Sequence, residues 1–387
     1  MSILILGTGL AGYNLAREIR KLDKDTPLVL VSRDAAPFYS KPMLSNALAG
    51  GKTAAALVMK SAEQMAAELN ARIIPHAEVR ALDPARRQVQ LASGEHLEHL
   101  EHLEYRDLVL ALGADPIRLP LEGDAASAAL SVNDLDDFAR FSAQLDGVRT
   151  LAILGGGLIG CEFANDLLAR GIRPVVLDPS PWPLGRLLPE AAGRRFQAGL
   201  EAAGVAFRMG VAATRIDARG QGYRLSLNDG STQDADLVLS AVGLRPRTAL
   251  ASAAGLACQR GIVVDRLLQT SAPHIHAIGD CAEVAGLSLP FVLPIMQQVR
   301  ALARSLTGTP TEVRYPAMPV MVKTPALPTV VAPPAPGTDG QWAVDESDPH
   351  GLEARFCAPD GSLRGFALLG SATARKQALT AQLPATL

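Results

Sequence analysis

Cysteines and aromatic residues are scarce in this chain of 387 residues. The four cysteines are irregularly spaced, which excludes a disulfide framework and a zinc site; they are Cys161, Cys258, Cys281 and Cys357. Only 4% of the residues are aromatic, yet 48% are hydrophobic and 20% charged, a composition that excludes disordered, collagenous and coiled-coil proteins. At about 150 residues per domain, the length predicts two or three globular domains.

The chain also lacks a strong net charge and a long apolar run. Its formal net charge is -2, so no overall field attracts nucleic acid or a membrane surface. The long stretch poor in charge, 315–337, contains seven prolines, which exclude a membrane-spanning helix. A strand-like run begins at Ile3, without a basic region, an apolar core or a cleavage site before it, so we expect no secretory signal. We therefore expect a cytoplasmic protein, monomeric or homodimeric, without membrane insertion or a nucleic acid partner.

A strand and a glycine-rich turn open the sequence. The apolar run Ile3–Leu6 predicts a strand that is buried on both faces of a parallel sheet. It leads into Gly7-Thr8-Gly9-Leu10-Ala11-Gly12 and a segment of helical period. Gly7 permits the tight turn, Gly9 lets the backbone approach a pyrophosphate, and Gly12 lets the helix pack closely on the strand.

The helix and strand after this turn complete a dinucleotide-binding pattern. The helix N-terminus presents free N–H groups and its positive dipole end to phosphates. A second strand, Leu28–Val31, comes next, and Asp34 lies just beyond its end. A carboxylate at this distance from the glycines is expected near the ribose hydroxyls.

The whole pattern recurs about 150 residues later. The strand Leu151–Leu154 leads into Gly155-Gly156-Gly157-Leu158-Ile159-Gly160, and a further strand ends at Asp178. Two complete units predict two bound dinucleotides. An acid at the position of Asp178 accepts hydrogen bonds from a free 2′-hydroxyl and repels a 2′-phosphate, which favours NADH over NADPH. Arg186 lies close enough in sequence to weaken that preference.

Further segments resemble the FAD-dependent pyridine nucleotide-disulfide oxidoreductases. They are the two crossover segments Tyr105–Ala114 and Leu237–Pro246, and the second flavin motif Thr270–Asp280. Within that superfamily, Tyr39–Ser45 resembles a segment of the ferredoxin and rubredoxin reductases, and Val322–Pro328 looks most like the rubredoxin reductases of alkane-oxidising bacteria. These belong to the class without a redox-active disulfide.

The resemblance implies an α/β fold with two Rossmann-like dinucleotide-binding domains, arranged as in glutathione reductase, and a small α+β C-terminal domain. The flavin motifs lie on both sides of the NAD motifs, so the FAD-binding domain is expected to be discontinuous, at 1–113 and 245–313. The NAD-binding domain is then 114–244 and the C-terminal domain 314–387. In this last domain we expect a mixed sheet and a final helix at 372–382.

Site residues follow from the resemblance position by position. The residues implied at FAD are Gly7, Gly9, Leu10, Ala11, Gly12, Ser32, Arg33, Asp34, Lys41, Val79, Glu162, Asp280, Val292 and Lys323. Those implied at NADH are Gly155, Gly157, Gly160, Asp178 and Gly243. Glu162 is placed near the flavin face where nicotinamide arrives, and we expect it to pair with Lys41.

The absence of cysteine before Cys161 decides the type of chemistry. Lys41-Pro42-Met43-Leu44 stands where a thiol-dependent member of the superfamily has its nucleophile, which excludes a disulfide reductase or a thiol-based oxidase. Cys161 and Cys281 are interpreted as packing residues. We predict no catalytic side chain, because the chemistry takes place on FAD. NADH delivers two electrons as a hydride, and they leave singly for an iron–sulfur protein, which the resemblance implies is rubredoxin, in alkane hydroxylation or in the detoxification of oxygen species.

Three alternatives stay open. The chain could be a ferredoxin-type reductase feeding an oxygenase, a reductase for a flavorubredoxin-like protein, or a slow regulatory flavoprotein that responds to NAD(H). Asn46 stands where ferredoxin reductases often have lysine, which favours rubredoxin. Because rubredoxins are acidic, a basic docking face is expected, with Arg300 and Arg304 joined by Lys323 or Lys41 as its candidates.

A threefold His-Leu-Glu repeat occupies residues 96–104. Histidines three apart could gather a metal on a helix, but strand-like runs precede and follow the repeat. We expect an extended hairpin or loop there and no metal.

Overall fold

The structure is a computed structural model that describes residues 1–93 and 99–387. Its N-terminal part contains β1 (Ser2–Leu6), α1 (Leu10–Leu22), β2 (Leu28–Val31), α2 (Ala54–Leu57), α3 (Ala62–Leu69), β3 (Arg72–Ile74), β4 (Glu78–Asp83), β5 (Gln88–Ser93) and β6 (His99–Leu110). The sheet order is β3-β2-β1-β6-β5-β4. β3, β2, β1 and the last part of β6 are parallel, whereas β4, β5 and the first part of β6 are antiparallel. The His-Leu-Glu repeat falls partly on residues 94–98, which lie outside the described residues.

The chain then crosses into a second parallel unit. Its elements are β7 (Ala114–Pro116), α4 (Leu135–Ala143), β8 (Thr150–Leu154), α5 (Leu158–Leu168), β9 (Arg173–Asp178), α6 (Glu190–Ala203), β10 (Ala206–Met209), β11 (Ala213–Arg219), β12 (Gly222–Leu227), β13 (Thr232–Ala235), β14 (Leu237–Ser240) and β15 (Leu244–Pro246). The parallel sheet has the order β10-β9-β8-β14, and β11-β12-β13 form an antiparallel sheet beside it. β7 and β15 pair with each other where the chain enters and leaves this unit.

After β15 the chain returns to the first sheet. The elements are α7 (Ala249–Ala253), β16 (Ile262–Val264), β17 (Ile275–Ala277), β18 (Ala282–Val284) and α8 (Val292–Leu306). β17 adds to β6 in parallel, and α8 packs on α1. The first unit is therefore assembled from two separate parts of the sequence.

The C-terminal part is an antiparallel sheet with a short helix. It contains β19 (Val320–Val322), β20 (Thr329–Ala332), β21 (Gln341–Asp345), β22 (Gly351–Cys357), β23 (Leu363–Gly370) and α9 (Lys376–Thr380), and the strand order is β19-β20-β23-β22-β21. The expectation of a mixed sheet is wrong, because each of these pairings is antiparallel. The short connections between these strands leave no room for the crossover that parallel pairing needs. The final helix is also shorter than expected, since Ser371–Arg375 forms a 3₁₀ helix before it.

Two large hydrophobic cores organise the molecule. One lies around β1 and β6 and includes the fully buried Ile3 and Val109. The other joins all three parts of the chain, because Leu48 packs in the same cluster as Phe163 of α5 and Leu369 of β23. Within the described residues, no helix is both long and apolar enough to cross a membrane. The expected α/β fold with a small α+β C-terminal domain is confirmed.

Candidate functional site

A cleft of about 2230 Å³ is lined by both parallel units and by the C-terminal part. The residues expected at FAD that line it are Gly7, Gly9, Leu10, Ala11, Ser32, Arg33, Asp34, Lys41, Val79, Glu162, Asp280, Val292 and Lys323. The residues expected at NADH that line it are Gly155, Gly157, Asp178 and Gly243. Gly12 and Gly160 are not among its lining residues, so a direct contact of Gly12 with FAD is not supported.

The two glycine loops have nearly the same geometry. Gly7 and Gly155 have φ angles of +112° and +108°, which favour glycine. A Cβ on Gly12 would lie 1.9 Å from the carbonyl oxygen of Gly7, and a Cβ on Gly160 would lie 1.9 Å from that of Gly155. The third glycine of each loop therefore acts through close helix packing and not through ligand contact.

The middle glycines border open space. A Cβ on Gly9 or Gly157 would meet no atom within 4 Å, which leaves room for a pyrophosphate beside the backbone. These glycines are the N-caps of α1 and α5, and neither helix has a side chain capping its first N–H groups. Uncapped N–H groups and the helix dipole suit an anion. Both loops thus fit the diphosphate of a dinucleotide.

The acids at the strand ends are held in different ways. Asp34 Oδ1 accepts a hydrogen bond of 2.6 Å from Ser32 Oγ, and Ser32 Oγ lies 2.6 Å from Thr8 Oγ1 in the first loop. Asp178 instead accepts directly from the backbone of the second loop, since the Gly156 N–H donates to its Oδ2 over 2.6 Å. Both carboxylates are fixed at the cleft beside their glycine loop, where a ribose would lie.

Glu162 does not pair with Lys41, and that expectation is wrong. The Nζ of Lys323 lies 2.8 Å from Oε2 of Glu162, and the backbone N–H of Lys323 donates to Oε1 over 3.1 Å. Ser45 Oγ donates to Oε2 over 2.6 Å and accepts from Lys323 Nζ over 2.8 Å. Lys323 Nζ also donates to the carbonyl oxygen of Pro42. Lys323, which directly follows β19, takes the place that the resemblance implied for Lys41, so Glu162, a residue only 3% exposed, has its charge compensated there.

Lys41 has a different environment inside the cleft. Its Nζ donates to Oδ1 of Asn133 over 2.8 Å, and Asn133 is held by the carbonyl oxygen of Ala114. Burial lowers the pKa of Lys41, and the nearby carboxylate of Asp280 opposes that change. Lys41 is therefore anchored by Asn133 at a partly buried position in the cleft.

The segment before Asp280 is held from behind by a buried side-chain relay. The Gly279 N–H donates to Oε1 of Gln298 over 2.7 Å, and Nε2 of Gln298 donates to the hydroxyl of Tyr315 over 2.8 Å. Gln298 and Tyr315 are 2% and 0% exposed. The relay fixes the Gly279–Asp280 turn at the cleft next to the start of α8.

The cysteines near the two loops behave as packing residues. Cys161 and Cys281 are fully buried, do not line the cleft, and donate weakly to backbone carbonyl oxygens. Burial raises the pKa of Cys281 to about 11 and raises that of Cys161 further. Both thiols therefore stay protonated near neutral pH, which suits packing and not redox chemistry.

The basic patch expected on α8 lies away from the cleft. Arg300 and Arg304 are exposed but are not among the residues lining it. Other exposed or half-buried groups line the cleft instead: Leu293, Met321, Arg364 and Lys376. Met321 is 60% exposed, and its sulfur accepts from Lys376 Nζ over 3.2 Å. We call these four residues the rim.

Sequence reasoning missed several polar residues that organise the cleft. They are Ser45, Asn133, Asp166, Arg247 and Gln298. Asp166 had a usable signal, because an acid in a helix that is mostly apolar and buried needs a partner. The others bond to residues far away in sequence, and no local pattern identifies them.

The fold and the cleft define a two-dinucleotide reductase, and the chain belongs to the pyridine nucleotide-disulphide oxidoreductase family, which residues 1–304 match. Residues 312–383 match a rubredoxin binding C-terminal domain. The rubredoxin-NAD(+) reductase of Alcanivorax borkumensis is 48% identical over 386 residues, covering 100% of this chain and 99% of that protein. The nitric oxide reductase FlRd-NAD(+) reductase of Aeromonas salmonicida is 41% identical, covering 99% of this chain and 96% of that protein.

A solved structure shows the same architecture. The ferredoxin reductase for the CYP199A2 system from Rhodopseudomonas palustris superposes with a TM-score of 0.88 at 26% identity, over 99% of this chain and 95% of that one. The membership predicted from the sequence motifs is confirmed.

Proposed function

We propose that this chain is an NADH-dependent flavoprotein reductase that passes electrons through FAD to a rubredoxin. The observation that carries the proposal is the continuous cleft, which is lined by both dinucleotide loops and by the rim. FAD, when bound, takes two electrons from NADH and releases them one at a time. One NADH therefore reduces two oxidised rubredoxins and releases one proton.

The residues of this chain have separate tasks in that scheme. Gly9 and the start of α1 hold the diphosphate of FAD, and Gly157 and the start of α5 hold that of NADH. Asp178 receives the ribose hydroxyls and disfavours a 2′-phosphate. Lys323 and Glu162 form a neutral pair at the junction of the three parts, so neither brings an uncompensated charge into the cleft.

The rim is where the acceptor docks in this proposal. Met321 and Leu293 supply apolar surface, and Lys376 and Arg364 supply positive charge for an acidic partner. The rim replaces Arg300 and Arg304 as the docking candidates. We place the protein in the cytoplasm and keep the domain boundaries after residues 113, 244 and 313; the start of β7 at Ala114 supports the first, whereas β15 (Leu244–Pro246) crosses the second.

The test is reduction of the flavin by NADH, followed by its reoxidation with purified rubredoxin or ferredoxin. We expect rapid bleaching of the flavin absorbance and a clear preference for rubredoxin that weakens with salt. Slow bleaching by NADH would instead identify a regulatory flavoprotein. A preference for ferredoxin would overturn the assignment of the acceptor.

A second acceptor should be compared directly with rubredoxin. The relative at 41% identity is named for nitric oxide reductase FlRd, so such a protein is the alternative partner. Its reduction rate should be measured beside that of free rubredoxin at equal ionic strength. A higher kcat/KM with the FlRd protein than with free rubredoxin would favour this alternative.

A further inference from the structure

The side of α5 that follows its glycine loop carries polar residues that bind parts of the chain outside the NAD unit. Glu162, Asn165 and Asp166 are spaced three and four residues apart, which places them on one face of the helix. Glu162 contacts Ser45 and Lys323, as described above. The other two residues make contacts that the proposed reaction does not yet use.

Asp166 binds the segment that follows Ser45. Its Oδ2 accepts from the Leu48 N–H over 2.8 Å and its Oδ1 from the Ala49 N–H over 2.9 Å. The residue is only 2% exposed. Both carboxylate oxygens are therefore occupied by the backbone of the turn that continues the 3₁₀ helix Lys41–Asn46.

Asn165 binds a different segment, which belongs to the C-terminal part of the chain. Its Oδ1 accepts from the Ala326 N–H over 3.0 Å, in the connection between β19 and β20. This connection begins with Lys323. The face of α5 thus holds one segment that carries Lys41 and Ser45 and another that carries Lys323, and all three of these residues line the cleft.

The matching helix of the FAD unit has no such role. Counting from the glycine N-caps, the positions that match Glu162, Asn165 and Asp166 are Asn14, Arg17 and Glu18. Asn14 donates to the carbonyl oxygen of Leu10, Arg17 pairs with Glu68, and Glu18 pairs with Lys21. These partners all lie within the first sheet unit, so the contacts of α5 are not a general property of the motif.

We propose that Asp166 and Asn165 are positioning residues that tie the NADH-binding helix to the two segments facing the flavin. Asp166 sets the register of the Lys41–Ala49 segment against α5, and Asn165 sets that of the 323–326 connection. α5 begins at the loop proposed for NADH. Its polar face therefore fixes the positions of the nicotinamide, the flavin and the rim relative to one another. The inference deepens the proposed function and rests on it.

The test uses the full-length, FAD-loaded protein with Asp166→Asn. The amide keeps the size of the carboxylate but presents N–H groups to one of the two backbone donors. We expect the maximal rate of flavin bleaching by NADH to fall about tenfold to a hundredfold, because small misplacements of reacting groups have effects of this size. The dissociation constant for NADH should change less than about twofold, because the Gly157 loop is untouched. The visible circular dichroism of the bound flavin should change as well.

Asn165→Ala tests the other side of the face. We expect this variant to slow reoxidation of the flavin by rubredoxin more than bleaching by NADH. For Asp166→Asn we expect the opposite, with bleaching slowed more than reoxidation. Glu18→Gln is the matched control on α1, and its rates should stay within about twofold of the unaltered protein. Asn165→Ala also serves as the second variant if Asp166→Asn does not fold, and Asn165→Asp, which keeps the Oδ1 acceptor for the Ala326 N–H, should restore the rate.

Several outcomes would overturn the inference. One is that a folded Asp166→Asn protein bleaches at the unaltered rate with an unchanged flavin dichroism spectrum, and that a folded Asn165→Ala protein is reoxidised by rubredoxin at the unaltered rate. Another is a loss of thermal stability alone, which would show a merely structural role. Steady-state reduction of ferricyanide by NADH separates this inference from the proposed function, because ferricyanide takes electrons from the flavin without a protein partner. The Asp166→Asn protein should be slower in this assay even if rubredoxin is not the physiological partner.

Discussion

The unit proposed for FAD and the unit proposed for NADH, called the FAD unit and the NAD unit below, share a loop and differ in their surroundings. Both have a glycine with positive φ, a middle glycine facing open space and a third glycine packed against the first. Yet α1 sends its polar side chains to partners within its own unit, whereas α5 binds two other parts of the chain. The comparison shows that the glycine loop decides which ligand a unit can bind. The polar face of the helix that follows the loop decides which other parts of the chain are held next to that ligand.

The largest effect is expected from substitutions that disrupt the glycine loop of one unit at a time. Gly12→Ala would place a Cβ against the carbonyl oxygen of Gly7, and Gly160→Ala would do the same to Gly155. Since backbone cannot give way cheaply, we expect the first variant to lose FAD, and the second to retain FAD but bind NADH at least about a hundredfold more weakly. The FAD content and NADH titrations measure this.

Gly50→Ala is the control for both glycine variants. A Cβ there would meet only ordinary contacts, the nearest at 3.7 Å, and both cofactors should bind as before. Loss of FAD from the Gly160→Ala protein would contradict the assignment of one dinucleotide to each unit.

A smaller effect is expected from separating Lys323 from the buried Glu162 of α5, a pair that has no counterpart at the matching position of α1. Lys323→Met leaves the Glu162 carboxylate buried without its cation, which costs roughly 3 kcal/mol of unfolding free energy in comparable pairs. Adding Glu162→Gln should recover part of that loss. Urea denaturation of the single and double variants measures the coupling, and strictly additive effects would show that the pair does not act as a unit.

The acids at the two strand ends sharpen the comparison further. We expect Asp178→Asn to weaken NADH binding about tenfold and to narrow the preference over NADPH, because the repulsion of a 2′-phosphate is removed. Asp34→Asn is its counterpart in the FAD unit and should leave the NADH/NADPH ratio unchanged. Equal changes in that ratio for both variants would refute the assignment.

The smallest effect concerns the acceptor. Lys376→Glu on the rim should raise the KM for rubredoxin by about threefold to tenfold at low salt, and less at high salt. Arg300→Glu makes the same change of charge on the FAD unit, away from the cleft, and should have little effect. Steady-state assays with both variants decide between the rim and α8 as the docking face; a larger effect of Arg300→Glu would restore α8 as the candidate.

Much of the fold was predictable because its signals are local. Buried parallel strands read as continuous apolar runs, and the glycine spacing specifies a turn, an anion site and a helix start within a dozen residues. The same locality identified Asp34 and Asp178, and the family resemblance identified the turn ending in Asp280; all three acids lie at the cleft. The mixed C-terminal sheet was mispredicted because strand pairing depends on connections that the two short apolar runs do not specify.

The partners of individual side chains were much less predictable. The resemblance placed Lys41 and Glu162 together at the flavin, so Lys41 was the expected partner of Glu162, but the tertiary structure brings in Lys323 from 161 residues beyond Glu162. Asp166 likewise finds its two donors 117 and 118 residues away.

The sequence by itself determined the two dinucleotide units, their order and the absence of a redox thiol in the first unit, because each depends on residues that are close along the chain. The tertiary structure alone decided which cation meets Glu162, which surface borders the cleft and what the face of α5 holds. Such contacts depend on how separate units pack, and packing is set by the summed burial of all three parts rather than by any one segment.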